Sequence, residues 1–147
     1  MHIRTALPAD VEALQAIFRR ASLSNEHDRA ALLQHPEALT LTAAHLADGT
    51  TEVGVNRAGD VIGFITTEVD GACAEITDLF VDPAAMRQGV ATALVDHRLQ
   101  QLRDQGVVRV DVIANPHALT FYRAVGFAIG PSTPTPFGEG FRAHRDL

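Results

Sequence analysis

The segment from Glu75 to Leu94 constrains the fold more than any other part of this sequence. It begins with β-favouring residues and an Asp-Pro pair, which together predict a strand and its end. It closes with apolar residues at helical spacing, which predict a helix over residues 89–105. The connecting loop contains Gly89 and leads directly into that helix, so the first helical N–H groups lack intrahelical partners. This arrangement predicts an anion site suited to a phosphate or pyrophosphate.

Two common phosphate-binding loops do not fit this segment. A Walker loop requires a Gly-Lys-Ser/Thr sequence, and the chain contains no lysine. A dinucleotide-binding loop requires several glycines directly after its strand, whereas here a single glycine follows a long loop over residues 82–88. The loop therefore belongs to another class of anion site.

A second segment, from Asn115 to Phe127, reads Asn-Pro-His-Ala-Leu-Thr-Phe-Tyr-Arg-Ala-Val-Gly-Phe. With the glycine loop, it resembles the GNAT superfamily of acetyl-CoA-dependent N-acetyltransferases. The loop is similar to the family's Gln/Arg-x-x-Gly-x-Gly/Ala, and the second segment to its Asn-x-x-Ala-x-x-Phe-Tyr-x-x-x-Gly-Phe. The resemblance spans about residues 61–127. Met86 stands where the family usually has Gln or Arg, which removes a polar side chain near the phosphates.

The elements in chain order predict one α+β domain over residues 1–147, with a mixed, mostly antiparallel central sheet flanked by helices. A helix separates the strand 75–81 from the strand 107–113, so these two should run parallel. The resemblance implies that they splay apart and leave a V-shaped slot. It also implies that the pantetheine arm of the coenzyme enters this slot and pairs with backbone groups like an added strand.

The resemblance implies that acetyl-CoA is the acyl donor. The residues that it places at the coenzyme are Leu79, Phe80, Val81, Met86, Arg87, Gln88, Gly89, Val90, Ala91, Thr92, Asn115, Ala118 and Tyr122. Backbone N–H groups near Leu79 and Val81 would polarise the thioester oxygen. Asn115 would hold pantetheine, cap the helix that follows it, or do both.

Two side chains are the catalytic candidates. Tyr122 is the only tyrosine and falls on the family's Phe-Tyr position, where the phenol acts as general acid; the alternative is a buried aromatic of a short helix. Glu75 is the candidate general base, against the alternative of a solvent-facing strand residue. Asp78 is the second candidate, and strand alternation places it on the opposite face from Glu75 unless a bulge intervenes.

Charge, hydropathy and cysteine content limit the kinds of partner and the cellular location that the sequence predicts. A net charge of −6 disfavours general nucleic-acid binding, which requires a basic face. The sequence has no apolar run near the ~20 residues of a membrane span, and its start lacks a signal-peptide core. These features and the lone Cys73 predict a cytoplasmic protein. His97 and His117 lack partners at metal-ligand spacing, so no metal is expected.

The predicted activity is transfer of an acetyl group from acetyl-CoA to a primary amine by direct attack, without an acyl-enzyme. The alternative is a non-catalytic module that binds or senses acyl-CoA. The acceptor should lie against the segments 22–28, 52–55 and 131–141, where acidic residues such as Glu52 would attract an amine. A homodimer is possible, and the acceptor is not identified.

Further local predictions concern the cap of the first helix, the C-terminal region and residues 28–47. Asp10 is expected to cap the first helix with its side chain. Pro131, Pro134 and Pro136 predict an irregular loop, and residues 141–145 a last edge strand. Two further helices are expected over residues 28–34 and 42–47.

Overall fold

The computed structural model describes residues 1–24, 50–135 and 138–147. The described strands are β1 His2–Thr5, β2 Thr50–Val55, β3 Val61–Asp70, β4 Cys73–Val81, β5 Arg109–Ala114, β6 Ala128–Thr135 and β7 Gly138–Asp146. The described α-helices are α1 Val11–Leu23, α2 Val90–Asp104 and α3 Leu119–Ala124. The strands form one sheet in the order β1-β2-β3-β4-β5-β7-β6. This architecture confirms the predicted α+β fold with a mixed, mostly antiparallel sheet.

Only one pair of neighbouring strands in the described sheet is parallel. Strand β4 pairs in parallel with β5, and α2 connects them, as the sequence predicts. The other five neighbouring pairs are antiparallel. The sheet therefore changes direction at the β4–β5 junction, directly after the glycine loop.

Helices cover both faces of the sheet. Helices α2 and α3 pack on one face, in a cluster that includes Leu94, Leu99 and Val125. Helix α1 packs on the other face, where Leu14 and Ile17 contact the side of the sheet that carries Phe64. The face covered by α2 and α3 is the α2 face, and the face covered by α1 is the α1 face.

Gly63 explains how α2 approaches the sheet so closely. A Cβ atom at this position would lie 3.0 Å from Val90 Cγ1 and 3.3 Å from Leu94 Cδ1. Gly63 is paired with Val81 at the end of β4. The missing side chain therefore lets the first turn of α2 sit directly beside the end of β4, which brings the glycine loop to the same place.

Two predictions for the C-terminal region were wrong. The region of Pro131 and Pro134 forms β6, which lies at the edge of the sheet, while β7 lies inside it between β5 and β6. An edge strand tolerates proline because one side needs no donors. The pairing of β6 with β7 is irregular between Ile129 and Ser132, around Pro131. Proline therefore shaped this strand without abolishing it.

Asp10 is the N-cap residue of α1, as predicted, but it does not cap that helix through its side chain. Instead it accepts from the Leu7 backbone N–H at 2.7 Å and from both terminal nitrogens of Arg4 at 2.8 and 3.1 Å. The Arg4 hydrogen bonds hold the pKa of the Asp10 carboxyl below its usual range. Asp10 thus fastens β1 to the turn before α1. The helices predicted over residues 28–34 and 42–47 lie outside the described residues.

Candidate active site

The glycine loop has the backbone of an anion site. Gly89 has a φ of 79° and is the residue before α2. The Ala93 N–H donates to the Gly89 carbonyl at 3.0 Å, so the N–H groups of Val90, Ala91 and Thr92 precede the first helical hydrogen bond. A Cβ atom built on Gly89 would have no neighbour within 4 Å. The loop therefore leaves open space in front of several unpaired amides.

Asp82 holds the start of this loop in place. Its carboxylate accepts from the Ala84 N–H at 3.2 Å and from Arg20 Nη2 at 2.7 Å. The Arg20 hydrogen bond holds the pKa of the Asp82 carboxyl below its usual range. The Asp82 N–H donates to the Ile62 carbonyl at 2.8 Å. Helix α1 and strand β3 thereby fix the point at which the chain leaves β4.

Strands β4 and β5 separate partway along their length. Their parallel pairing runs from Cys73 opposite Arg109 to Ile76 opposite Val112, and ends there. Strand β4 continues to Val81 on its pairing with β3, and β5 continues to Ala114 on its pairing with β7. The described strands therefore leave a slot between residues 77–81 and the end of β5, as the resemblance implies.

The backbone groups that face this slot follow from the hydrogen-bond pattern. Asp82 donates its N–H to Ile62 on β3, and backbone groups alternate between the two edges of a strand. Phe80, two residues earlier, therefore also directs its N–H and C=O toward β3. Leu79 and Val81 direct theirs to the opposite edge, which is the slot. The two amides expected to polarise the thioester oxygen thus lie on its wall.

A β-bulge changes which side chains of β4 share a face. Thr66 pairs with Asp78, whereas the next residue, Thr67, pairs with Ile76, which leaves Thr77 as the extra residue. Paired residues of neighbouring strands lie on one face, and Glu68 pairs with Glu75. Because residues 66 and 68 of β3 share the α1 face, Asp78 and Glu75 share it too.

The bulge is the exception to strand alternation that the sequence analysis allowed, and it places both carboxylates on one face. Asp78 is 8% exposed, and the Thr77 hydroxyl donates to its carboxylate at 3.3 Å. The sequence carried one signal for this arrangement. Thr77 and Asp78 are two adjacent polar residues that interrupt an otherwise alternating strand.

Glu75 is exposed and lines an open pocket at the base of the slot, with a volume of about 960 Å³. Carboxylates of Glu68 and Asp111 lie on the same surface, and Asp111 accepts from Arg109 Nε at 3.0 Å. The charged and imidazole side chains that line it are Glu68, Asp70, Glu75, Arg109, Asp111, Arg142 and His144. Sequence reasoning did not identify this charged surface, which surrounds Glu75 in the described structure.

Tyr122 lies on the other side of the sheet. It is 7% exposed and belongs to the cluster on the α2 face, where its ring contacts Phe121 and Phe127 at centroid distances of 5.2 and 5.4 Å. Burial raises the pKa of Tyr122 to about 12. The phenol therefore stays protonated over the whole neutral range, as a proton donor must. Tyr122 and Glu75 therefore lie on opposite faces of the sheet.

Other predicted residues have mixed placements. Asn115 is exposed and is the residue before the turn Pro116–Ala118, but its side chain makes no capping hydrogen bond. Ala118, next to the base of α3, is partly buried against the core. Met86 is 52% exposed, and Arg87 has a φ of 64°. Glu52, expected to attract an amine, is buried on the α2 face, where the Thr5 hydroxyl donates to its carboxylate at 3.3 Å.

In residues 1–24, 50–135 and 138–147, no group of three or more His, Cys, Asp or Glu side chains is placed to hold a metal ion. None of the helices described there is both long and apolar enough to cross a membrane.

The chain is similar to known N-acetyltransferases in sequence and in structure. Serotonin N-acetyltransferase 2 of rice, a chloroplastic protein, is 27% identical over 131 residues. The match covers 87% of this chain and 61% of the rice protein, so the chain spans less than two thirds of that relative. A GCN5-related N-acetyltransferase from Rhodopseudomonas palustris superposes with a TM-score of 0.83 at 20% identity, covering 99% of this chain and 95% of that one.

A second similar structure was solved with coenzyme A. It is the PaiA N-acetyltransferase of Thermoplasma acidophilum, with a TM-score of 0.77, 16% identity, and coverage of 99% of this chain and 98% of that one. The model of the acetyltransferase (GNAT) family matches residues 11–127, which include the slot, the glycine loop and Tyr122. The chain belongs to the acetyltransferase (GNAT) family.

Proposed function

We propose that the protein transfers the acetyl group of acetyl-CoA to a primary amine by direct attack within a ternary complex. The observation that carries this proposal is the slot. Its wall presents the amides of Leu79 and Val81, and it opens beside the glycine loop. Glu75 lies on the α1 face of β4, and Tyr122 lies in the buried cluster on the α2 face. Together these groups serve each requirement of acetyl transfer from a thioester.

The residues present fit the coenzyme. The N–H groups of the first turn of α2 would hold the pyrophosphate, and the open space beside Gly89, where a Cβ atom would have no neighbour within 4 Å, supports this placement. The free edge of β4 accommodates an extended pantetheine arm. The similar Thermoplasma acidophilum structure, in complex with coenzyme A, supports this assignment at the level of the fold. The exposed Met86 would leave phosphate binding to backbone groups.

When bound, acetyl-CoA supplies an activated acyl carbon and a thiolate leaving group. The Leu79 and Val81 amides donate hydrogen bonds to the carbonyl oxygen as it gains negative charge. Glu75 accepts the proton that the attacking amine loses. Tyr122, protonated at neutral pH, donates a proton to the departing sulfur. No covalent enzyme intermediate is needed, because the amine attacks the acyl carbon directly.

The test is release of free thiol from acetyl-CoA in the presence of an amine panel. The panel contains an arylalkylamine such as serotonin, a polyamine, an amino acid, an amino sugar and a peptide with a free N-terminus. Acetylated product with at least one amine supports the proposal. Coenzyme binding by calorimetry without turnover of any amine would favour the alternative, a non-catalytic acyl-CoA-binding module. The single domain over residues 1–147, a cytoplasmic location and a homodimer stay predictions from the sequence.

A further inference from the structure

The bulge at Thr77 determines the chemistry of β4, so the contacts that hold it are of functional interest. Because of the bulge, the N–H groups of Leu79 and Val81 point into the slot, and Asp78 lies on the α1 face together with Glu75. A bulge interrupts the ladder hydrogen bonds locally, so the strand pairing alone fixes its position weakly. Side chains next to the bulge must supply the remaining specificity.

Buried polar side chains lie on both faces at this step of the sheet. On the α1 face, the hydroxyls of Thr51 and Thr66 lie 2.8 Å apart. On the α2 face, Arg98 Nε donates to the Thr67 hydroxyl at 2.8 Å. Thr66 and Thr67 are the two β3 residues between which the register shifts. The polar contacts therefore coincide with the bulge and not with the rest of β3.

Arg98 is an unusual residue for its place. It is 3% exposed, on the same side of α2 as Leu94, Val95 and Leu102. Its Nη1 donates to Gln101 Oε1 at 3.0 Å, and burial lowers the pKa of the guanidinium while the charge of the buried Glu52 acts in the opposite direction.

An apolar residue would fill the same space without the cost of desolvating a charge, so Arg98 contributes little to stability by its burial. Buried charged groups of this kind are best known for specifying one register over another. Arg98 donates to Thr67, which is one of the two residues between which the β3–β4 register shifts.

We propose that Arg98 is a positioning residue, which holds the β4 bulge at Thr77 through its hydrogen bond to Thr67. The bulged register of residues 77–81 then presents the slot amides and the two carboxylates together. The register claim concerns the fold and stands by itself, whereas its consequence for catalysis rests on the proposed acetyltransferase function.

The experiment uses Thr67→Val, which keeps the shape of the side chain and removes the acceptor of Arg98 Nε. Loss of a hydrogen bond to a charged donor predicts about 10-fold faster amide hydrogen exchange at residues 77–79. It also predicts a fall in kcat of about 10-fold or more, with the KM for acetyl-CoA changed less. Thr67→Ser, which retains the hydroxyl, should restore both values. If Thr67→Val does not fold, Arg98→Lys keeps the charge but lacks the Nε–H donor and is measured in its place.

The control is Val107→Ala, which removes buried apolar volume before β5, away from the bulge. It should lower Tm without changing exchange at residues 77–79 or kcat. Unchanged exchange at those residues in Thr67→Val would overturn the proposal, as would exchange that rises equally in the control. A wild-type protein without turnover would contradict the proposed function instead, because the exchange measurement decides the register claim independently of activity.

Discussion

Replacing Tyr122 with Phe tests the role of the general acid with little structural change. The ring keeps its contacts with Phe121 and Phe127, and no hydrogen bond between the Tyr122 side chain and another described residue is lost. We therefore expect the free energy of unfolding to change by less than about 0.5 kcal/mol. General acid catalysis contributes on the order of 100-fold or more, so kcat should fall by about 100-fold, which corresponds to about 2.7 kcal/mol.

The assay is thiol release from acetyl-CoA with an identified acceptor, measured between pH 6 and pH 9. Since burial raises the pKa of Tyr122 to about 12, the wild-type profile should show no loss of the acid within that range. Thr120→Val is the matched control, because it removes an exposed hydroxyl from the same helix. A Tyr122→Phe enzyme with wild-type kcat, under conditions where chemistry limits the rate, would refute the assignment.

Three further predictions concern the same site. Glu75→Gln should lower kcat/KM for the amine on the order of 100-fold at neutral pH, and the deficit should shrink as pH approaches the pKa of the amine itself; a deficit independent of pH would argue against a base. Gly89→Glu should abolish coenzyme A binding in calorimetry, because it adds a negative side chain in front of the loop amides. Gly59→Glu is the control, since Gly59 is a hairpin glycine that also has a positive φ and open space around it. This control variant should bind coenzyme A normally. As pH rises from 10 to 12, the free energy of unfolding of the wild type should fall by up to about 3 kcal/mol relative to that of Tyr122→Phe. The reason is that only the phenol of the unfolded chain ionises in this range. A difference in unfolding free energy that stays constant would contradict this.

Much of the fold could be predicted because its signals are local. The hairpin around Gly59, the parallel crossover through α2 and the helix that carries Tyr122 each follow from turn residues and periodicity over a short stretch. The order of β6 and β7 could not be predicted this way, because strand order depends on contacts between distant segments. Pro131 also misled the prediction, since proline excludes central strands but permits an edge.

The site was predicted less completely than the fold. The glycine loop lies where its sequence predicts, because the loop and the helix start are contiguous in the chain. The charged surface around Glu75 depends on five strands that meet only in the folded sheet, so no segment by itself indicates it. Glu52 shows the same limitation. It was assigned to the acceptor side, yet the pairing of β2 with β3 turns it toward the α2 face.

The bulge shows how an apparently minor irregularity follows from the sequence after all. Without the bulge, Thr77 would pair with Thr66, and Asp78 would lie opposite Ile65, which is fully buried on the α2 face. Burying that carboxylate without compensation would cost several kcal/mol. Leu79 would then pair with Phe64 and direct its amide to β3, so the slot would lose that donor. The polar pair at residues 77 and 78 therefore selects the bulged register, and the same choice gives β4 its amides at the slot.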